Sequence, residues 1–219
     1  MKYPRTWHLP GSPGGTRDDS RMTSFESFVG RSVVLTEKMD GSNVCLQRDA
    51  CFARSHGHAP AHPSFSGLKA LHATVKSRLP PDLQLFGEWL FARHSIHYRS
   101  LPGYLQLFAV RDLRRGRWLA WDQVRVWAEV IEAPTVPVLA VFDVSTEEDL
   151  RVVLENRARL LARDTEGFVV RWEGAFDDTQ FSEAVAKWVR AEHVTSSEHW
   201  QHQPLVRNLL QGDGHIGQA

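Results

Sequence analysis

Strand-like and helix-like runs follow one another in this chain without strict alternation, and that order constrains the fold more than any other feature. Residues 32–37 (Ser-Val-Val-Leu-Thr-Glu) read as a strand, Asp40-Gly41 as a turn, and 43–47 as a second strand. A third extended run at 51–54 follows the Arg48-Asp49-Ala50 turn. Leu68, Leu71, Val75 and Leu79 stand at helical spacing, which predicts a helix over 66–79 that Pro80-Pro81 stops. Residues 83–91 and 104–110 read as buried strands, 121–131 as a short helix and 136–142 as a strand. Ser145-Thr146-Glu147-Glu148 reads as a capping box opening a helix to about Leu161. Strands follow at 167–171 and 184–189, and the tail after Arg190 is expected to hold one further helix before a flexible Gly/Gln end. Residues 1–24, rich in Pro, Gly, Ser and Asp, read as an irregular arm. The mixture predicts an α+β fold with two largely antiparallel sheets and flanking helices.

Composition narrows the function. With 42% hydrophobic and 24% charged residues in 219, the chain can bury a sizeable core and is neither disordered throughout, collagen-like nor a coiled coil. No apolar run approaches the roughly 20 residues of a membrane span, and Met1-Lys2-Tyr3-Pro4-Arg5 leads into prolines and glycines instead of an apolar signal core. Cys45 and Cys51 cannot make a disulfide framework, so a reducing, cytoplasmic location is expected. The net charge of zero argues against indiscriminate nucleic-acid binding, and any such contact must come from a local patch. Of the 26 basic residues only five are lysines (Lys2, Lys38, Lys69, Lys76, Lys187). Lysine differs from arginine in that it can lose its proton and act as a nucleophile.

Lys38 lies in Lys38-Met39-Asp40-Gly41-Ser42-Asn43, at a strand end followed by a turn. Downstream, in order, come Arg54, Phe86-Gly87-Glu88-Trp89, Phe108, Glu166-Gly167-Phe168-Val169-Val170-Arg171 and Val185-Ala186-Lys187-Trp188-Val189-Arg190. Each run is short, but the ordered set over residues 37–188 resembles the covalent nucleotidyltransferase superfamily, and within it the ATP-dependent RNA ligases. The resemblance implies a ligase-type adenylation domain whose two sheets enclose an ATP cleft. It also implies a reaction in three steps: a lysyl-AMP intermediate, transfer of AMP to a 5′-phosphate, and joining to a 3′-hydroxyl. A lysine amine attacking the ATP α-phosphorus stores the adenylyl group as an activated phosphoramidate.

Residue by residue, the resemblance implies that Lys38 is the nucleophile and that Lys187 contacts the α-phosphate, offsetting charge in the transition state. Glu37 would line the base pocket, Arg54 would lie near the ribose and phosphate, and Glu88 would accept hydrogen bonds from ribose hydroxyls. Phe108 would stack on adenine, Asn43 would serve the sealing step, and Glu166 would hold Mg²⁺ or Mn²⁺ through oxygen ligation. A divalent cation and a second lysine nearby are expected to depress the Lys38 pKa by repulsion.

Many relatives carry a second basic residue two places after the last motif lysine. Here that place is Val189, and Arg190 would point to the opposite face of its strand. Only 32 residues follow Lys187 (219 − 187), too few for an OB barrel. The expected organisation is therefore an adenylation domain over 1–190 and a short extension over 191–219. The expected partner is RNA bearing 5′-phosphate and 3′-hydroxyl ends, with room for a separate end-healing or RNA-delivering protein. Residues 2–5 are candidates for phosphate contacts, while Arg111, Arg114, Arg115 and Arg117 read as an ordinary solvated face. His56, His58, His62, His94 and His97 lack structural-zinc spacing, and neither cysteine lies in a Cys-x-x-Cys. Three alternatives stay open: a DNA ligase, a GTP-using capping enzyme, and a non-catalytic RNA-binding relic of the fold.

Overall fold

Val33, Val34 and Leu35 are consecutive and all fully buried. Successive strand residues point to opposite faces, so the strand that carries them must be covered on both sides. The computed structural model describes residues 2–14, 19–53, 60–161, 164–191 and 205–213. In chain order the elements are β1 (Trp7–His8), β2 (Arg31–Lys38), β3 (Ser42–Leu46), β4 (Cys51–Ala53), α1 (Ser66–Val75), β5 (Leu83–Trp89), β6 (Leu105–Asp112) and β7 (Arg117–Trp118). They continue with α2 (Trp121–Val130), β8 (Val138–Val144), α3 (Glu147–Arg159), β9 (Gly167–Trp172), β10 (Phe176–Asp177), α4 (Phe181–Ala184) and β11 (Val185–Val189).

Two sheets result. One has the order β1-β11-β9-β2-β8 and the other β10-β7-β6-β5-β3-β4. Every strand pair is antiparallel except β1 on β11. The fold is the α+β arrangement of two largely antiparallel sheets that the sequence order predicts.

Helices cover the outer faces. Leu68 and Val75 of α1, with Val124 and Ala128 of α2, pack in one cluster with Leu85, Leu105, Leu107 and Val110 of the second sheet. Leu150 and Leu154 of α3 join Val33, Leu35, Phe168 and Val170 of the first sheet in another, which Phe86 and Trp118 extend into the second sheet. Cys45 and Cys51 are free and buried, as small apolar residues would be. Among the described residues, no helix is long and apolar enough to cross a membrane.

Several local expectations shift. The arm is not irregular throughout: Trp7–His8 adds a parallel edge strand to β11, with His8 opposite Lys187. The capping box of α3 lies one residue later than the sequence suggests. Thr146 Oγ1 accepts from the Asp149 amide at 3.2 Å, and Asp149 Oδ2 accepts from the Thr146 amide at 2.8 Å, a pair worth about 1 kcal/mol. Pro137 has no N–H to give a ladder, and β8 begins just after it. Ala184 ends the short α4 and does not start a strand. Most of the tail in which a helix is expected, residues 192–204 and 214–219, lies outside the described residues; residues 205–213 dock through bridges Ala92–Arg207 and Leu101–Leu210.

Candidate active site

The register of β2, β9 and β11 sets out one face of the first sheet as a grid. Lys38 lies across from Gly167, which lies across from Val189; Thr36, Val169 and Lys187 form the next row; Val34, Arg171 and Val185 form the third. On the second sheet Asn43, Glu88 and Gln106 are directly paired in one row. Between the sheets lies a cleft of about 740 Å³ whose lining includes Lys38, Lys187, Glu37, Asn43, Glu88, Phe108 and Glu166. Seven residues predicted from the sequence are thus brought to one cavity. Arg54 lies outside the described residues, as do His56 and His58.

Local chemistry explains why each element delivers its side chain. A Cβ on Gly41 would come within 2.7 Å of the Trp89 carbonyl oxygen, so only glycine lets the turn after Lys38 lie against β5. The Gly41 amide then donates to Glu88. A Cβ on Gly167 would collide with the Trp188 carbonyl, so glycine is required for β11 to close on β9 beside Glu166. The β5–β6 register slips between Phe86 and Gly87, leaving Phe108 without a direct partner. Such a bulge re-aims a side chain, and Phe108 turns into the cleft.

Lys38 Nζ forms an ion pair with Glu166. Burial alone would pull the amine's pKa down, but Glu166, Glu88 and Asp40 together outweigh it and leave it raised. In the free protein the nearest charges are carboxylates, and Lys187 is one row and two strands away; the depression expected from the sequence depends on a bound cation as well. Glu88 is pushed up to about 8, mainly by burial and further by Glu166 and Asp40, against the pull of Lys38. Burial also raises Glu37, with Asp164 adding to it.

With Glu88 largely protonated at neutral pH, Glu166 is the carboxylate beside the amine that a hard divalent cation would use, its remaining ligands coming from water and substrate phosphate. Among the described residues, no three His, Cys, Asp or Glu side chains converge as a metal site by themselves. His62 Nδ1 instead meets Ser64 Oγ at 2.7 Å at a helical turn, and His94 Nε2 approaches Ser42 Oγ at 3.4 Å in the cleft.

Sequence reasoning named Tyr3 and Arg5 only within a phosphate-contact cluster at residues 2–5 and gave Arg171 no role. Tyr3, from the arm, packs edge-on against Phe108 at 5.0 Å and Trp118 at 5.4 Å, and Arg5 lines the same cavity. Arg171, only 5% exposed, donates to the carbonyls of Trp172 (3.0 Å), Leu119 (2.8 Å) and Phe108 (3.4 Å). Burial lowers its pKa to about 10 although Tyr3 opposes the shift, so it stays cationic at neutral pH. Its place on alternate positions with Val169 was the available signal. Val189 is buried and Arg190 is absent from the cleft lining. Arg111, Arg114, Arg115 and Arg117 pair with Asp178, Asp82, Asp112 and Asp177, a neutralised face and not a phosphate patch.

A lysine nucleophile candidate and its carboxylates, set in a cleft between two antiparallel sheets, define the class as a ligase-type nucleotidyltransferase domain. The RNA ligase family model matches residues 31–189, and the chain belongs to that family. Among solved structures, it resembles an archaeal ATP-dependent RNA ligase (TM-score 0.59, 19% identity, 86% of this chain and 48% of that one). It resembles a Naegleria gruberi RNA ligase with PPi (0.52, 17%, 75% and 51%). It is also similar to a putative ATP-dependent DNA ligase from Aquifex aeolicus (0.55, 19%, 86% and 49%). The chain therefore spans about half the length of the solved structures it matches, and the likeness is one of fold. No curated protein matches it.

Proposed function

We propose that this chain is an ATP-dependent RNA ligase, or its catalytic part, working through a lysyl-AMP intermediate on Lys38. The observation that carries the reading is the Lys38–Glu166 pair inside the cleft, with Lys187 in the adjacent row. Lys38 Nζ attacks the α-phosphorus of ATP, the bond to pyrophosphate breaks, and an N–P bond forms. The amine must shed a proton to react, and the carboxylate it already touches is Glu166. Lys187 faces the same cleft and offsets charge on the α-phosphate oxygens as they gain electron density.

Phe108 and Val169, from opposite sheets, bracket the adenine, with Glu37 beside it. Glu88 accepts from the ribose hydroxyls, a role its Gly41 contact prepares by fixing the carboxylate. Glu166 would hold Mg²⁺ or Mn²⁺. When bound, the cation supplies phosphate polarisation and lowers the Lys38 pKa by repulsion. AMP then passes to an RNA 5′-phosphate, and with Asn43 at the cleft the 3′-hydroxyl displaces it. The adenylation domain spans 1–190, and Arg5 on the arm is the cation that stands in where Val189 leaves no charge.

The test is incubation with α-labelled ATP or GTP and Mg²⁺, followed by RNA or DNA carrying a 5′-phosphate. Label from ATP on wild type but not on Lys38→Ala, and joined RNA, are the expected results. Label from GTP alone points to capping chemistry, joining of DNA alone to a DNA ligase, and no label at all to a relic.

A further inference from the structure

The connection between β5 and β6, residues 90–104, has no helix and no strand of its own, yet it forms one rim of the cleft through His94. Loops of this length inside a compact fold need something to order them. That something is the segment 205–213. Asn208 is fully buried. Its Nδ2 donates to the carbonyls of Leu90 (2.8 Å) and Ala92 (3.4 Å), and its Oδ1 accepts from the Tyr98 amide at 2.9 Å. Its own amide donates to the Phe91 carbonyl at 2.9 Å, and its carbonyl accepts from Tyr104 Oη at 3.0 Å. Backbone bonds from Arg93 to Val206 and from Leu209 to Tyr98 flank this contact.

The loop so held is bonded directly to the turn after Lys38. Asp40 Oδ2 accepts from the amides of Ser95 (2.8 Å) and Ile96 (2.9 Å), and the Asp40 amide donates to Tyr98 Oη at 2.9 Å. Asn208 and Asp40 thus grip opposite sides of Tyr98, one through its backbone and the other through its phenol. A buried amide must have its polar atoms satisfied. Only an amide supplies an acceptor for Tyr98 together with donors for Leu90 and Ala92. Aspartate keeps the first and loses the second; an apolar residue loses both.

We infer that Asn208 is a positioning residue for adenylylation: through loop 91–98 it holds Asp40, and with it the approach of Lys38 to the nucleotide. The inference rests on the ligase reading above. The adenine contacts at Phe108 and Val169 do not run through this loop, so loosening it should slow the covalent step far more than it weakens ATP binding.

The experiment compares the wild-type 219-residue chain, Asn208→Ala, Tyr98→Phe and the double variant. The single-turnover rate of label transfer from ATP should fall about tenfold or more in each single variant, since small misplacements of reacting groups are costly. The final labelled fraction should match wild type, and the ATP concentration for half-maximal rate should stay within about twofold. In the double variant the loss should be smaller than the product of the single losses, because both act on one loop. A rate within about twofold of wild type, a loss confined to the labelled fraction, or independent multiplying effects would each overturn the inference. Deuterium exchange of a peptide covering residues 92–98 measures the same coupling without nucleotide. Faster exchange in Asn208→Ala supports the inference, and unchanged exchange overturns it whatever the labelling. Wild type that takes no label sinks the ligase reading alone.

Discussion

Burial pulls the Lys38 amine toward neutrality, yet Glu166, Glu88 and Asp40 hold it protonated in the free protein. The nucleophile is therefore stored in an unreactive form until charge is redistributed around it. Removing Glu166 removes the strongest opposing influence, so Glu166→Gln should lower the Lys38 pKa, read as the pH dependence of its modification by an amine reagent. The same variant should form lysyl-AMP at least about 100-fold more slowly, because the cation and proton contacts are lost together. A Lys38 pKa that stays put would remove the pair from the account. Phe108→Ala should raise the ATP concentration for half-maximal labelling about tenfold and change the maximal rate less, as expected for lost ring stacking.

At this scale the gathering of Lys38, Glu88, Glu166 and Lys187 in one cleft was legible from the ordered runs that resemble the RNA ligases. The packing of Tyr3 on Phe108 and the place of Arg171 in the cleft were not. Their roles depend on which strands end up facing each other across the cleft, and no local pattern encodes that.

Among elements, the decisive contact is the close approach of β11 to β9. A Cβ on Gly167 would meet the Trp188 backbone, so Gly167→Ala must push the two strands apart. It should cost about 1–3 kcal/mol, seen as a lower urea midpoint, and should reduce labelling of the protein that still folds. Unchanged stability would mean that β11 tolerates a wider gap than its register implies. The long strands and α1–α3 followed from periodicity and stop signals, as at Leu68–Val75 before Pro80. β1, β7 and β10, each of two residues, did not, because such short strands exist only by virtue of the partner they meet. β1 shows this most plainly: it lies in a Pro/Gly-rich arm and pairs with a strand near the far end of the described chain.

For the whole molecule, two buried groups impose opposite pH dependences on stability. His8, 1% exposed, has its pKa lowered to about 4, by burial first and by Lys187 next. Its contribution is full above about 6.5 and is lost as pH falls through 4, so His8→Asn should remove part of the acid destabilisation, of order 1–3 kcal/mol. Glu88 is raised to about 8, so its contribution is full below about 4.5 and lost as pH rises through 8. Glu88→Gln should therefore flatten the decline in urea stability between pH 6.5 and 8. Reversed slopes for either variant would show that the groups sit in different surroundings.

Glu88 lies in the cleft, and the account's central claim is that the chemistry there runs through a single lysine. The most direct check is intact mass and peptide mapping after incubation with ATP and Mg²⁺. One adenylyl group on the peptide holding Lys38, released by acid more readily than by alkali as a P–N bond should be, is the predicted result. An adduct mapped to any other residue, or one that survives Lys38→Ala, would contradict it.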